Sequence, residues 1–171
     1  MSLIPSVEPE RPVLPIEAAI EKVLPLFEGS GVVALIEPIG FATSSLATKA
    51  ELAAAIAALG AGDRVKIVHD TFQHSLAAET AIFPAQTATV HISGISDPDA
   101  VFEDALDGHR VLVDENDRVG NLGQIRAFLE AGFEGAFSFE ATAPEILDAA
   151  EPEAGIKRSM DFLSAAVNRS H

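Results

Sequence analysis

The feature that most constrains this chain is an alternation. Short runs of β-branched and apolar residues are each followed by a longer stretch rich in alanine and leucine. Segments 31–37, 64–70, 88–94, 110–114 and 135–140 read as strands, the first a continuous apolar run of the kind buried on both faces. Segments 15–28, 49–59, 75–82, 98–106, 122–131 and 144–167 read as helices, the last in two pieces broken near Pro152 and Gly155. In the first helix Ile16, Ala19, Ile20, Val23, Leu24 and Phe27 share one face. Pro15 suits its first turn, Gly29 its stop, and Pro25 disturbs its end. Residues 2–7 offer part of a preceding strand. Regular strand–helix alternation implies parallel strands joined by right-handed crossovers and covered by helices. The expectation is a single α/β domain over residues 1–171.

Composition narrows the function. The chain carries 26 acidic against 11 Lys and Arg residues, a net charge of −15. That excess argues against a nucleic-acid partner, which needs a basic face. A hydrophobic fraction of 48% is too high for a disordered chain. The absence of cysteine removes disulfides, thiolate metal sites and cysteine nucleophiles. No apolar run is long enough to span a membrane, and residues 1–12 lack the apolar core of a secretory signal. A cytoplasmic protein without a membrane partner is expected.

Polar residues cluster where such folds build sites, at the carboxyl ends of the strands. Glu37 ends the first strand, Asp70 the second and Glu140 the fifth, and His91 lies near the end of the third. His91 shares a strand face with Thr89 and Ser93. Two Glu, one Asp and one His make a hard-to-borderline donor set suited to Mn²⁺, Co²⁺, Mg²⁺ or Zn²⁺. Each carboxylate is equally the first solvated residue of a loop; for His91 a satisfied core histidine is the lesser alternative. The acidic group Asp114, Glu115 and Asp117 reads as a solvated loop.

Five segments carry a resemblance: Leu35-Ile36-Glu37-Pro38-Ile39-Gly40-Phe41, Val68-His69-Asp70-Thr71-Phe72-Gln73-His74, Val90-His91-Ile92-Ser93-Gly94, His109-Arg110-Val111-Leu112-Val113-Asp114 and Phe137-Ser138-Phe139-Glu140. In this order they resemble the sugar phosphate isomerase/epimerase family. That family has the xylose-isomerase-like TIM barrel shared with AP endonuclease IV, and the flavour is that of its myo-inositol catabolism branch. The resemblance spans residues 15–165 and matches the last five strands of an eight-stranded barrel that usually needs about 250 residues. It implies a (β/α) partial barrel of about five to six parallel strands with outer helices. Unpaired sheet edges would then favour a homo-oligomer.

The resemblance further implies a divalent metal held by Glu37, Asp70, His91 and Glu140. The substrate would be a small sugar, sugar phosphate, inosose or other polyol. Lewis-acid chemistry would stabilise an enediolate, with Glu37 and Glu140 as the acid/base pair. Gln73, His74 and Arg110 are the candidate substrate contacts. Gln73 departs from the pattern, since the family usually has His three residues after the metal-binding Asp. Ala42 and Thr43 stand where a second acidic residue is often found. Arg110 equally reads as a salt-bridged residue at a strand start. These departures motivate the alternative of a non-catalytic metal- or sugar-binding relative. Phosphodiester cleavage, as in the endonuclease relatives, is disfavoured by the acidic charge.

Overall fold

The computed structural model describes residues 1–168. Its strands are β1 (Ser2–Leu3), β2 (Ala34–Ile36), β3 (Val65–Asp70), β4 (Thr87–Ile92) and β5 (Ala136–Phe139). They form one parallel sheet in chain order, β1-β2-β3-β4-β5. The helices are α1 (Ile16–Val23), α2 (Lys49–Ala58), α3 (Thr71–Leu76), α4 (Asn121–Glu130), α5 (Pro144–Leu147) and α6 (Pro152–Asn168). The expected partial barrel with outer helices is the observed architecture, and within residues 2–7 only Ser2–Leu3 form the preceding strand. Among the described residues no helix is long and apolar enough to cross a membrane.

Apolar burial orders the layers. Ile20 of α1 and Leu52, Ala53 and Ile56 of α2 pack with Ala34, Ile36, Val65 and Ile67 of β2 and β3. A second cluster joins Val90 and Ile92 of β4 to Ile125 and Phe128 of α4 and Leu163 of α6. A third, of Phe72, Ile95, Ala105 and Val119, follows the strand ends, and its Phe72 ring meets Arg110.

One irregularity in the sheet matters for function. Ile67 opposes Thr87, but Val68 opposes Thr89, so β4 carries one extra residue at that point. Because side chains alternate faces, one inserted residue rephases everything after it. Asp70 therefore opposes His91 instead of Val90.

Three expected elements differ. Segment 110–114 is not a strand of the sheet: Val111 makes only an antiparallel bridge with Gly94, and β4 pairs directly with β5. A parallel return normally needs a helical crossover, and none forms between residues 94 and 110. The helix expected over 98–106 is replaced by short 3₁₀ turns at Phe102–Asp104 and Asp107–His109. There Arg118 donates to the carbonyls of Asp97 and Ala100, which a helix would have used for its own ladder. The helix expected over 75–82 is moved forward to Thr71–Leu76. Asp70 caps its start, accepting from the Gln73 N–H at 2.8 Å, and Ala78 at φ 50° ends it. Gly155 lies inside α6, so the final helical region breaks before Pro152 only.

Candidate metal centre

The parallel ladder delivers four side chains to one place. Glu37 follows β2, its N–H bonded to Leu3 O at 3.1 Å. Asp70 closes β3 and doubles as the cap of α3. His91 lies opposite Asp70 on β4. Glu140 follows β5, its N–H bonded to Ile92 O at 3.0 Å. One donor atom from each of Glu37, Asp70, His91 and Glu140 lies within 4.8 Å of the others. The carboxylates of Glu37 and Asp70 are buried, and Glu140 is half open to solvent.

Electrostatics inside this group are strong. His91 Nδ1 sits 3.0 Å from Glu140 Oε2 and 3.5 Å from Glu37 Oε2. Those two hydrogen-bonding carboxylates raise the imidazole to about 10. The His91 contact, followed by burial working against it and Arg110 working with it, leaves Glu140 at about 2. Burial lifts Asp70 to about 7, against the pull of Arg110.

Arg110 joins the cluster although its segment is not a strand. Its guanidinium donates to Asp70 Oδ2 and, at 3.1 Å, to Glu140 Oε2. Ser93 Oγ accepts from its Nε at 2.9 Å, and Asp107 Oδ1 from its Nη1 at 3.2 Å. Its Cζ stands 5.2 Å from the centroid of the Phe72 ring. Ser93 and Asp107 escaped the site reading; the only signal for Ser93 was its shared face with His91.

Gln73 and His74 do not join the cluster. The Gln73 amide oxygen accepts from Gly40 N–H at 2.9 Å and tethers the loop after β2. A Cβ at Gly40 would lie 2.4 Å from Gln73 O, so only glycine permits this approach. His74 packs 4.8 Å from the His69 ring, with Glu79 3.8 Å from its Nδ1. Glu79 also grips Lys49 Nζ at 2.6 Å. The acidic loop keeps to itself: Asp114 accepts from Ser96 and Asn116, and Asp117 from the N–H groups that open α4.

This strand-edge quartet, ordered along a parallel sheet, can be compared with known proteins. A family model described as the xylose isomerase-like TIM barrel matches residues 14–166. The chain belongs to that family. A search of the curated proteins finds no match. Among solved structures, a xylose isomerase domain-containing protein from Salmonella typhimurium superposes with a TM-score of 0.86 at 28% identity. That match covers 96% of this chain and 62% of the other. The IolI protein, solved with a bound zinc atom, gives 0.80 at 17% identity, covering 99% and 63%. D-psicose 3-epimerase from Clostridium cellulolyticum, solved with D-tagatose, gives 0.64 at 12% identity, covering 94% and 60%. This chain thus spans less than two thirds of the length of these relatives. For the last two, the likeness shows the fold.

The residues present fit a divalent ion. Carboxylate oxygens and an imidazole nitrogen suit hard-to-borderline cations, and the four donors already converge without rearrangement of the sheet.

Proposed function

We propose that the chain carries the centre of a divalent-metal-dependent isomerase or epimerase acting on a small sugar, sugar phosphate or inosose. The observation that carries this reading is the convergence of Glu37, Asp70, His91 and Glu140 within 4.8 Å at the carboxyl ends of parallel strands. The family and its epimerase neighbours support it. Glu37, Asp70, His91 and Glu140 would hold the ion. When bound, a divalent ion supplies Lewis acidity toward a carbonyl and its neighbouring hydroxyl.

The chain's own residues then move a proton. Glu37 and Glu140 both reach His91 Nδ1, from β2 and β5 respectively, and would flank a substrate bound over the cluster. One carboxylate takes the proton from the carbon beside the carbonyl, and the other, or the same one, returns it. Returning it to the opposite face inverts the centre; returning it to the neighbouring carbon, with the hydroxyl proton passing to the former carbonyl oxygen, isomerises the sugar. Burial of Glu37 and Asp70 limits water access to the reacting region. Arg110 is the candidate substrate contact nearest this chemistry. Gln73 acts in this reading through the Gly40 loop, and His74 from within α3, packed on His69.

A second reading has its own observation. The Gln73 side chain is buried against Gly40 and offers no acid near the cluster. A relative that binds an ion or a sugar without turnover would look like this. Native mass spectrometry with and without chelator separates the readings from failure of both. The expected result is a single divalent ion per chain, removed by chelator and reduced in Glu37→Gln and Glu140→Gln. Epimerisation of a keto sugar or inosose by the loaded protein supports the enzyme. Binding without turnover across that panel supports the second reading, and no ion under any loading condition refutes both.

A further inference from the structure

Arg110 brings a permanent cation into the cluster, and its side chain is only 3% exposed. We propose that Arg110 is the internal counter-cation of this centre, standing on the oxygens a divalent ion would need, so that ion and guanidinium compete for them. This rests on the metal-centre reading above.

The carboxylate contacts carry the argument. Asp70 Oδ1 accepts from the Gln73 N–H at 2.8 Å, and Asp70 Oδ2 accepts from Arg110. Both oxygens of this ligand are therefore engaged. An ion reaching Oδ2 must share it with Arg110 or displace it. Glu140 Oε2 is likewise contacted by Arg110 at 3.1 Å and by His91 Nδ1 at 3.0 Å. Arg110 is held in this position from outside the cluster by Ser93, Asp107 and the Phe72 ring. Four of its five N–H donors thus meet protein groups, and no free pair remains for the two-point grip arginine uses on a carboxylate or phosphate.

The charge balance explains why such a residue is useful. Three carboxylates converge with His91, and like charges this close disfavour one another's ionised state. Arg110 adds a permanent positive charge from within the chain, so the ligands can stay assembled before an ion arrives. The same charge repels a divalent cation at that distance. Its removal should therefore tighten ion binding even as it weakens the ion-free fold. A residue that merely scaffolds the ligands would do the opposite, and one that only binds substrate would leave substrate-free ion affinity unchanged.

The test is a calorimetric titration of Zn²⁺ and, separately, Mn²⁺ into chelator-stripped protein without substrate, for the wild type, Arg110→Gln and Ser93→Ala. Ser93→Ala removes the Nε partner, keeps the charge and adds no bulk at this buried position. Arg110→Gln is expected to bind either ion about tenfold more tightly or better, with a lower melting temperature when ion-free. Ser93→Ala is expected to shift affinity in the same direction by a smaller factor. Folded Arg110→Gln with unchanged or weaker affinity overturns the proposal while leaving the metal centre standing. Should Arg110→Gln fail to fold, Ser93→Ala decides alone: tighter binding supports the competition, and equal or weaker binding overturns it. A wild type that takes no ion, beside a variant that does, supports the competition in its strongest form. No uptake by any of the three proteins refutes the metal centre and this inference together.

Discussion

Two buried cations, Lys49 and Arg110, show how differently a single charge can be used. Lys49 meets Glu79 at 2.6 Å, with both side chains under 10% exposed, and Glu79 also accepts from the Lys49 and Ala50 N–H groups at the start of α2. That pair is structural. Glu79→Ala strands the ammonium and the open helix end, and should cost about 3–5 kcal/mol in urea denaturation. Arg110 instead faces the ligand set, where its partners are candidate functional groups. Near it, His91 is protonated in the ion-free protein because Glu140 and Glu37 hold it at about 10. An ion ligand must be the neutral imidazole, so ion uptake should release protons and strengthen as pH rises. Calorimetry in buffers of different ionisation enthalpy checks this; buffer-independent heats at pH 7 would contradict it.

At the scale of elements, the β3–α3 junction does the most. One residue, Asp70, ends the strand, caps the helix and enters the ligand cluster. Behind it, burial holds His69 at about 3 and His74 at about 4, so both stay neutral in the fold. In the unfolded chain they titrate near 6.5. Their folded values are depressed, so their contribution is complete above pH 6.5 and is lost as pH falls toward 4. Stability should drop by up to about 1.4 kcal/mol per pH unit for each histidine across that window. His74→Gln should reduce the slope between pH 6.5 and 5, read from denaturation midpoints. The Gly40 loop packs on the same helix, and Gly40→Ala drives a methyl into Gln73 O. A cost of about 1–3 kcal/mol is expected from calorimetric melting.

At the scale of the molecule, β1 and β5 each have one strand neighbour among the described residues, so the sheet they form has two open edges. Open parallel edges favour pairing with another chain. Light scattering should give a mass above the 17.9 kDa of one chain, rising with concentration; a constant 17.9 kDa would reject self-association. The parallel sheet and the quartet of Glu37, Asp70, His91 and Glu140 were legible from the sequence, because apolar runs and the residues that end them are local patterns. The extra residue in β4 was not, since a bulge leaves no mark in composition, yet it alone sets His91 opposite Asp70. Nor was the fate of segment 110–114, whose apolar pattern suits a strand. It folds back on Gly94 because Arg118 takes the carbonyls that a crossover helix would have needed. The sequence by itself determined which residues could be ligands and that they would sit at strand ends. Only the tertiary structure decided that Arg110 stands among them, because its position depends on Ser93, Asp107 and Phe72, contacts between segments that local pattern cannot register.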